Sequence, residues 1–358
     1  MTRGELISVK LQLMTVTFST NTLSATQRLL LAAFAVLFLI GLVPFAQAQG
    51  QDDVLKTETS LVQLNVGVVD RQGRAITSLT SSDFVVYEDD VKRPIVAFEP
   101  TQAPFSLVML LDMSGSTVNF RQQIQQAAVR FLDALAPEDR VAVLSFNGKG
   151  VHKLFGFSTD RNRTAYAIIN LSNGAGNTLL YDGLKESLKE LAGEGKRRKA
   201  IVVLTDGLDT VVRNGDRQAV TSVPDSEVST VIKPETNPDL VSVLNAADRH
   251  GVTIFPLALP SGDPKRLPLP DPLITAQYAA ARARLELLAD RTGGQLSDIR
   301  RLDQMARVYA EVAANLRTLY SIAYQPPAQT RDGKWRKIRI EVAHADLIAR
   351  TKPGYYAR

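Results

Sequence analysis

Four short, continuously apolar runs in the middle of the chain place the strongest constraint on its fold. They are FSLVMLLD, VAVLSF, AIVVLT and VTIFPL, which begin at Phe105, Val141, Ala200 and Val252. A strand that is apolar on both faces must be covered on both faces, as in a parallel sheet flanked by helices. The segments between the runs, such as residues 179–191, carry apolar residues at helical spacing. The sequence therefore predicts an α/β fold, a doubly wound Rossmann-like domain with a parallel central sheet.

The segments on both sides of this domain show the alternating pattern of half-buried strands. Apolar residues occupy every second position from Val62 to Val68 and again from Ile338 to Val342. Because neither segment has enough strands to bury a face alone, we predict one small β-sandwich built from both, with the α/β domain inserted into it. The predicted organisation is a leader at 1–48, an N-terminal β region at 49–102, the α/β domain at 103–319 and a C-terminal β region at 320–358.

Three polar segments of the α/β domain are expected at the surface. Residues 213–237 and the proline-rich residues 260–273 lack periodicity and are predicted to be loops. The basic run at residues 196–199 is predicted to be a solvated corner between a helix and a strand. Contact with a phosphate or an anionic surface is the alternative for this run.

The N-terminus has the features of a targeting segment. Residues 29–46 form an uninterrupted apolar run, preceded by Arg28 and followed by the A-x-A pattern that ends at Ala48. This pattern is typical of a signal peptide cleaved after Ala48. An uncleaved anchor helix is the alternative, because about 18 apolar residues can span a bilayer. Either way, we expect the body of the protein to be exported, periplasmic or secreted, with membrane contact only if the segment is uncleaved.

The amino-acid composition limits which metal sites, cross-links and nucleophiles the protein can contain. The 358 residues include no cysteine and only three histidines, so disulfides, thiolate metal sites and cysteine nucleophiles are excluded. A bound metal is therefore expected to be a hard cation with oxygen ligands. The predicted leader carries a net charge of +2, so its removal lowers the net charge from +5 to +3. Such a mild excess of positive charge does not indicate a nucleic-acid partner.

Three loops of the predicted α/β domain offer oxygen ligands. The first apolar run ends in a D-x-S-G-S motif that contains Asp112, Ser114 and Ser116, and the third ends in T-D-G, which contains Asp206. Between them, a glycine-bearing loop places Thr178 at the start of a helix. Loops at the carboxyl ends of parallel strands converge on one crevice, so the five side chains can share one cation. Two carboxylates and three hydroxyls suit Mg²⁺, with Mn²⁺ as the alternative.

Each of these motifs has a simpler explanation when it is taken alone. D-x-S-G-S could be a helix N-cap, and T-D-G could be a turn. The occurrence of all three together favours a cation site. Two nearby acids are not predicted to be ligands: Asp182 is interpreted as a helix N-terminal charge, and Asp209 as an acid that supports the loop.

Over about residues 103–319, the order of D-x-S-G-S, GNTLLYDGL and T-D-G resembles the von Willebrand factor A domain with its metal-ion-dependent adhesion site. The resemblance implies that the three hydroxyls bind the metal directly and that the two aspartates bind it directly or through water. The flanks, VVDRQGRAITSLTSSDFVVYED and LYSIAYQPPAQTRDGKWRKIRIEV, resemble an acidobacterial-type family of exported von Willebrand factor A proteins. Thr117 departs from the pattern where a methionine is frequent, and Asp90 departs where a glycine is frequent.

We therefore predict an exported, non-enzymatic interaction protein whose metal ion binds an Asp or Glu carboxylate of a protein partner. A structural envelope component with a stabilising metal is one alternative. A metal-dependent hydrolase is another, but no G-x-S-x-G elbow surrounds Ser114 and no histidine lies beside a motif that would mark it as a base.

Overall fold

The computed structural model of the protein describes residues 61–357, except 172–173, 175, 196, 263–270, 302–303 and 328–331. The predicted leader therefore lies outside the described residues. None of the helices in the described ranges combines the length and the apolarity needed to cross a bilayer.

The strands of the described residues form one six-stranded sheet and two four-stranded sheets. They are β1 (Val62–Val69), β2 (Phe84–Glu88), β3 (Val91–Arg93), β4 (Ile95–Glu99), β5 (Phe105–Asp112), β6 (Arg140–Asn147), β7 (Gly150–Ser158), β8 (Arg198–Thr205), β9 (Val252–Ala258), β10 (Ser297–Asp298), β11 (Leu319–Tyr324), β12 (Trp335–Val342), β13 (Ile348–Arg350) and β14 (Gly354–Tyr356). The α-helices are α1 (Arg121–Asp133), α2 (Arg161–Ile169), α3 (Leu180–Ala192), α4 (Thr210–Ala219), α5 (Val228–Val231), α6 (Pro238–His250), α7 (Pro272–Thr292) and α8 (Met305–Leu316).

The six-stranded sheet has the order β10-β9-β8-β5-β6-β7 and helices on both faces. Alternate residues of β5 point into two separate cores: Leu107 and Met109 pack with α1 and α8, whereas Val108 and Leu110 pack with α3, α6 and α7. The predicted α/β fold is confirmed. The sheet is mixed rather than purely parallel, because β7 turns back directly after β6 and pairs with it antiparallel.

The two smaller sheets, β13-β1-β11-β4 and β14-β12-β2-β3, form the predicted sandwich. Leu64 and Ile322 from the first sheet share a core with Phe84, Val86 and Ile338 from the second. Strands from the two ends of the described chain alternate, since β1 lies between β11 and β13. The acidic turn after β2 places both Asp89 (φ 50°) and Asp90 (φ 63°) in the left-handed region.

A buried arginine holds the two connections between the sandwich and the α/β part. Arg198 is 5% exposed. Its Nη2 donates to Thr101 O at 3.0 Å and to Ala103 O, and its Nη1 donates to Leu319 O at 2.5 Å and Leu316 O at 3.4 Å. The prediction of a solvated basic corner is wrong at Arg198, because backbone carbonyls of both connections take the place of water.

The predicted loop at residues 213–237 is also wrong in part. It contains the end of α4 and all of α5. Val220, Val228 and Ile232 form a small core with Ala276 and Ala280 of α7, so widely spaced apolar residues are buried by tertiary contact rather than by local periodicity. Of the second predicted loop, residues 263–270 lie outside the described residues.

Candidate metal centre

The loops after β5 and β8 meet at the carboxyl end of the six-stranded sheet. Thr205 Oγ1, in the last residue of β8, donates to Asp112 Oδ2 in the last residue of β5 at 2.7 Å. In the loop after β5, the hydroxyl oxygens of Ser114 and Ser116 lie 3.1 Å apart. Four of the five predicted ligands therefore lie at or just after the ends of two adjacent parallel strands.

Asp112 is fully buried and partly satisfied by its own loop. Its Oδ1 accepts the backbone N–H of Ser114 at 3.0 Å, in addition to the bond from Thr205. Burial, followed by the nearby charge of Asp206, raises the pKa of Asp112 to about 7. A cation beside the two carboxylates would oppose both effects.

Asp206 carries the unsatisfied atom of the site. Its Oδ1 accepts the Leu208 N–H at 3.1 Å, whereas its Oδ2 is buried and has no hydrogen-bond partner among the described residues. Burial raises the pKa of Asp206, and the Ser116 side chain and the Leu208 N–H oppose that shift. A buried carboxylate oxygen without a partner is unfavourable by about 1–3 kcal/mol or more, so a bound cation fits this position.

Thr178 belongs to the third loop, which precedes α3. Its backbone N–H donates to Thr210 Oγ1 at 2.9 Å, and its carbonyl accepts the Thr210 N–H at 3.0 Å. The side chain is nearly buried. This pair of bonds ties the predicted ligand to the loop after β8, and hence to the loop of Asp206.

The two acids that are not predicted to bind metal have other partners. Asp209 caps α4 by accepting the N–H groups of Val211 at 2.9 Å and Val212 at 3.1 Å, and it accepts the Tyr181 N–H at 3.3 Å. Asp182 lies in the first turn of α3, with its carboxylate 3.7 Å from Lys185 Nζ. Both arrangements agree with their predicted roles.

Two threonines support the site in ways that the motifs do not reveal. Thr205 accepts the Gly207 N–H at 3.1 Å while it donates to Asp112. Thr117 Oγ1 lies 2.9 Å from Asp112 O and 3.1 Å from Ser114 O, so its hydroxyl closes the loop onto the end of β5. Thr205 is the first residue of T-D-G, so the motif contains this residue although it does not show the bond to Asp112, and nothing in the sequence marks the bonds of Thr117.

The donor set is poor in charged ligands. The described residues contain no group of three or more His, Cys, Asp or Glu side chains that could hold a metal ion. A cation here would have two carboxylates, and hydroxyls would have to supply the other side-chain oxygens. Oxygen-only ligands favour Mg²⁺ or Mn²⁺ over softer ions.

Comparison with known families gives one match: residues 107–208 match the von Willebrand factor type A domain. No curated protein matches the sequence.

Solved structures that are similar include the von Willebrand factor type A protein from Catenulispora acidiphila (13% identity, 84% of this chain and 74% of that chain, TM-score 0.42). Others are the vWF domain of the type V pili tip protein Mfa5 from Porphyromonas gingivalis (16%, 60% and 95%, 0.43) and the manganese-loaded TRAP protein from Plasmodium vivax (12%, 75% and 97%, 0.40). Similarities of this size do not assign a function.

Proposed function

We propose that the protein, whose residues 107–208 match the von Willebrand factor type A domain, is a non-enzymatic interaction protein that binds a partner's carboxylate through a divalent cation. The cation is Mg²⁺, with Mn²⁺ as the alternative. The proposed ligands are Asp112, Ser114, Ser116, Thr178 and Asp206.

The observation that carries this proposal is the buried Oδ2 of Asp206, which lacks a hydrogen-bond partner among the described residues. It lies in the loop after β8, and Thr205 at the end of the same strand bonds to the buried Asp112. Two acids brought together in this way repel each other, and a divalent ion relieves the repulsion.

In this proposal the five side chains would bind and position the ion, and the ion itself would contact the partner. Asp112 and Asp206 supply the negative charge, and the three hydroxyls supply neutral oxygens. Such a set leaves room in the shell of a six-coordinate ion for water or for a partner's carboxylate. When bound, the ion supplies the positive charge that an Asp or Glu of the partner requires.

We also propose that the protein acts outside the cytoplasm, in the periplasm or as a secreted protein, on the basis of the apolar run at residues 29–46 and the A-x-A pattern that follows it. Such a location would allow it to meet proteins of the cell envelope.

Titration of the purified protein with Mg²⁺ and Mn²⁺ by calorimetry tests the proposal. We expect saturable binding by the wild type and by Asp182→Asn, the matched control at an exposed acid, and none by Asp112→Asn. At ten times the dissociation constant the ion adds about 1.4 kcal/mol of stability, so chelator should lower the melting temperature by only a few degrees. No saturable binding by folded wild type at millimolar ion would overturn the proposal.

A second experiment tests whether the ion takes part in partner recognition or only stabilises the loops that bind it. Capture of envelope proteins by the immobilised protein is compared with Mg²⁺, with chelator and with Asp112→Asn, and acids of a captured protein are then changed to amides. We expect capture to require both the ion and one partner carboxylate. Metal binding without metal-dependent capture would instead support the structural alternative.

A further inference from the structure

We infer that Arg121 is a positioning residue of the candidate metal centre. It holds the loop after β5 against the glycine loop before α3, so that Ser114 and Thr178 are in place before an ion binds. This inference rests on the proposed function, since it assigns a role within the same site.

Among the described residues, the hydrogen bonds of the guanidinium go to backbone carbonyls. Arg121, the first residue of α1, places Nη2 3.1 Å from Ser114 O and 3.3 Å from Met113 O in one loop, and Nη2 also donates to Gly174 O in the other. One side chain thus joins two of the three loops that carry the proposed ligands.

The two loops are in direct contact beside this side chain. The Gly115 N–H donates to Gly176 O at 3.2 Å. A Cβ on Gly174 would lie 2.6 Å from Met113 O and 2.5 Å from Asn147 Nδ2, so only glycine permits so close an approach. The contact between the two loops is therefore made by their backbones as well as by Arg121.

Ser114 is the ligand that this arrangement fixes most directly. Its carbonyl accepts hydrogen bonds from Arg121 Nη2 and Thr117 Oγ1, both at 3.1 Å, and its N–H donates to Asp112 Oδ1 at 3.0 Å. With both backbone polar groups occupied, the fold sets the direction of its Cα–Cβ bond. A preorganised ligand loses less conformational freedom when the ion binds.

Removal of groups that orient metal ligands typically lowers metal affinity about 10- to 100-fold. We therefore expect Arg121→Gln to raise the dissociation constant for Mn²⁺ by a factor in this range. Arg121→Lys should give a smaller increase, because an ammonium can still donate to carbonyls but lacks the planar fork of the guanidinium. Arg130→Gln, at an exposed arginine of the same helix, is the matched control and should bind like the wild type.

Calorimetric Mn²⁺ titration is paired with two measurements in chelator, the melting temperature and amide hydrogen exchange in residues 113–117 and 174–178. A positioning role predicts weaker Mn²⁺ binding and faster exchange in these loops, with partial rescue by Arg121→Lys. A lower melting temperature with unchanged affinity would show that Arg121 only stabilises the fold, and would overturn the inference.

The design also separates this inference from the proposed function. Wild-type protein that binds no Mn²⁺ overturns both, whereas wild-type binding matched by Arg121→Gln overturns the positioning role alone. If Arg121→Gln does not fold, the comparison is made with Arg121→Lys, for which wild-type affinity is the contradicting result.

Discussion

At the scale of single residues, two buried tyrosines differ in whether the hydroxyl group has a hydrogen-bond partner. Tyr320 OH donates to Ile76 O at 2.9 Å and accepts the Leu79 N–H at 3.0 Å. Tyr309 OH is fully buried against Phe131 and has no partner among the described residues, and burial raises the pKa of Tyr309. The two hydroxyls should therefore affect stability differently.

We predict that Tyr309→Phe leaves the free energy of unfolding unchanged or raises it by up to about 1 kcal/mol, because the lost hydroxyl is an unsatisfied polar group. Tyr320→Phe, the matched control, should lower the free energy of unfolding by about 1–3 kcal/mol, because it leaves the half-buried Leu79 N–H and Ile76 C=O without their partner. Urea unfolding followed by circular dichroism measures both. A loss of more than 1 kcal/mol in Tyr309→Phe would contradict this account.

The candidate site could be predicted from sequence only to the level of its oxygen-bearing motifs. Asp112 and Asp206 end or follow continuously apolar strands, and the topology of an α/β sheet then brings their loops together. The roles of Thr117 and Arg121 could not be predicted, because their partners are backbone carbonyls, and such bonds leave no pattern in the side-chain sequence.

At the scale of elements, α3 lies unusually close to the central sheet. A Cβ on Gly183, in the first half of this helix, would be 3.0 Å from Phe146 Cδ1 and 3.2 Å from Leu110 Cδ1, both in fully buried side chains. Gly215 in α4 has no neighbouring atom within 4 Å of such a Cβ among the described residues. The two helical glycines thus differ only in what surrounds them.

We predict that Gly215→Ala stabilises the protein by about 0.5–1 kcal/mol, the usual gain in helix propensity. Gly183→Ala should instead lose about 1–3 kcal/mol, since overpacking against β5 and β6 outweighs that gain. Thermal and urea unfolding give both values. Equal stabilisation by the two substitutions would mean that α3 can move away from the sheet without penalty.

Strand β7 and helix α4, which escaped prediction, contain few fully buried residues. Strand β7 has polar residues such as His152 and Lys153 beside partly buried positions, and it exists because it pairs with β6. Helix α4 buries a single apolar residue, Val212, and its start is set by the cap at Asp209. The four strands that are covered on both faces were predicted correctly, because continuous burial is visible in the sequence.

At the scale of the whole molecule, the sandwich depends on both ends of the described chain. Strand β1 pairs only with β11 and β13 among the described strands, and both follow the α/β part. Leu64 and Val66 of β1 are completely buried there. The N-terminal strands therefore cannot complete their sheet until the last forty residues have been added.

We predict that deletion of residues 320–358 makes the N-terminal strands sensitive to protease. The deletion removes both partners of β1 and exposes its apolar face, while the six-stranded sheet keeps all of its strands. Limited proteolysis with mass spectrometry should show early cleavage within residues 61–100 of the shortened protein and resistance there in the full-length protein. An N-terminal part that resists digestion after the deletion would show that the sandwich is not shared.

The paired connections held by Arg198 have a mechanical consequence. Glu99 of β4 lies opposite Ser321 of β11, so the α/β part leaves and rejoins the sandwich at neighbouring points. A pull on the candidate metal centre would divide over two covalent segments that enter the sandwich side by side. If β1 is the anchored end, the load passes from the start of β11 to the start of β1, which are opposite ends of one antiparallel ladder. Its hydrogen bonds would be loaded together in shear rather than opened one at a time, so this topology would resist tension applied through the α/β part.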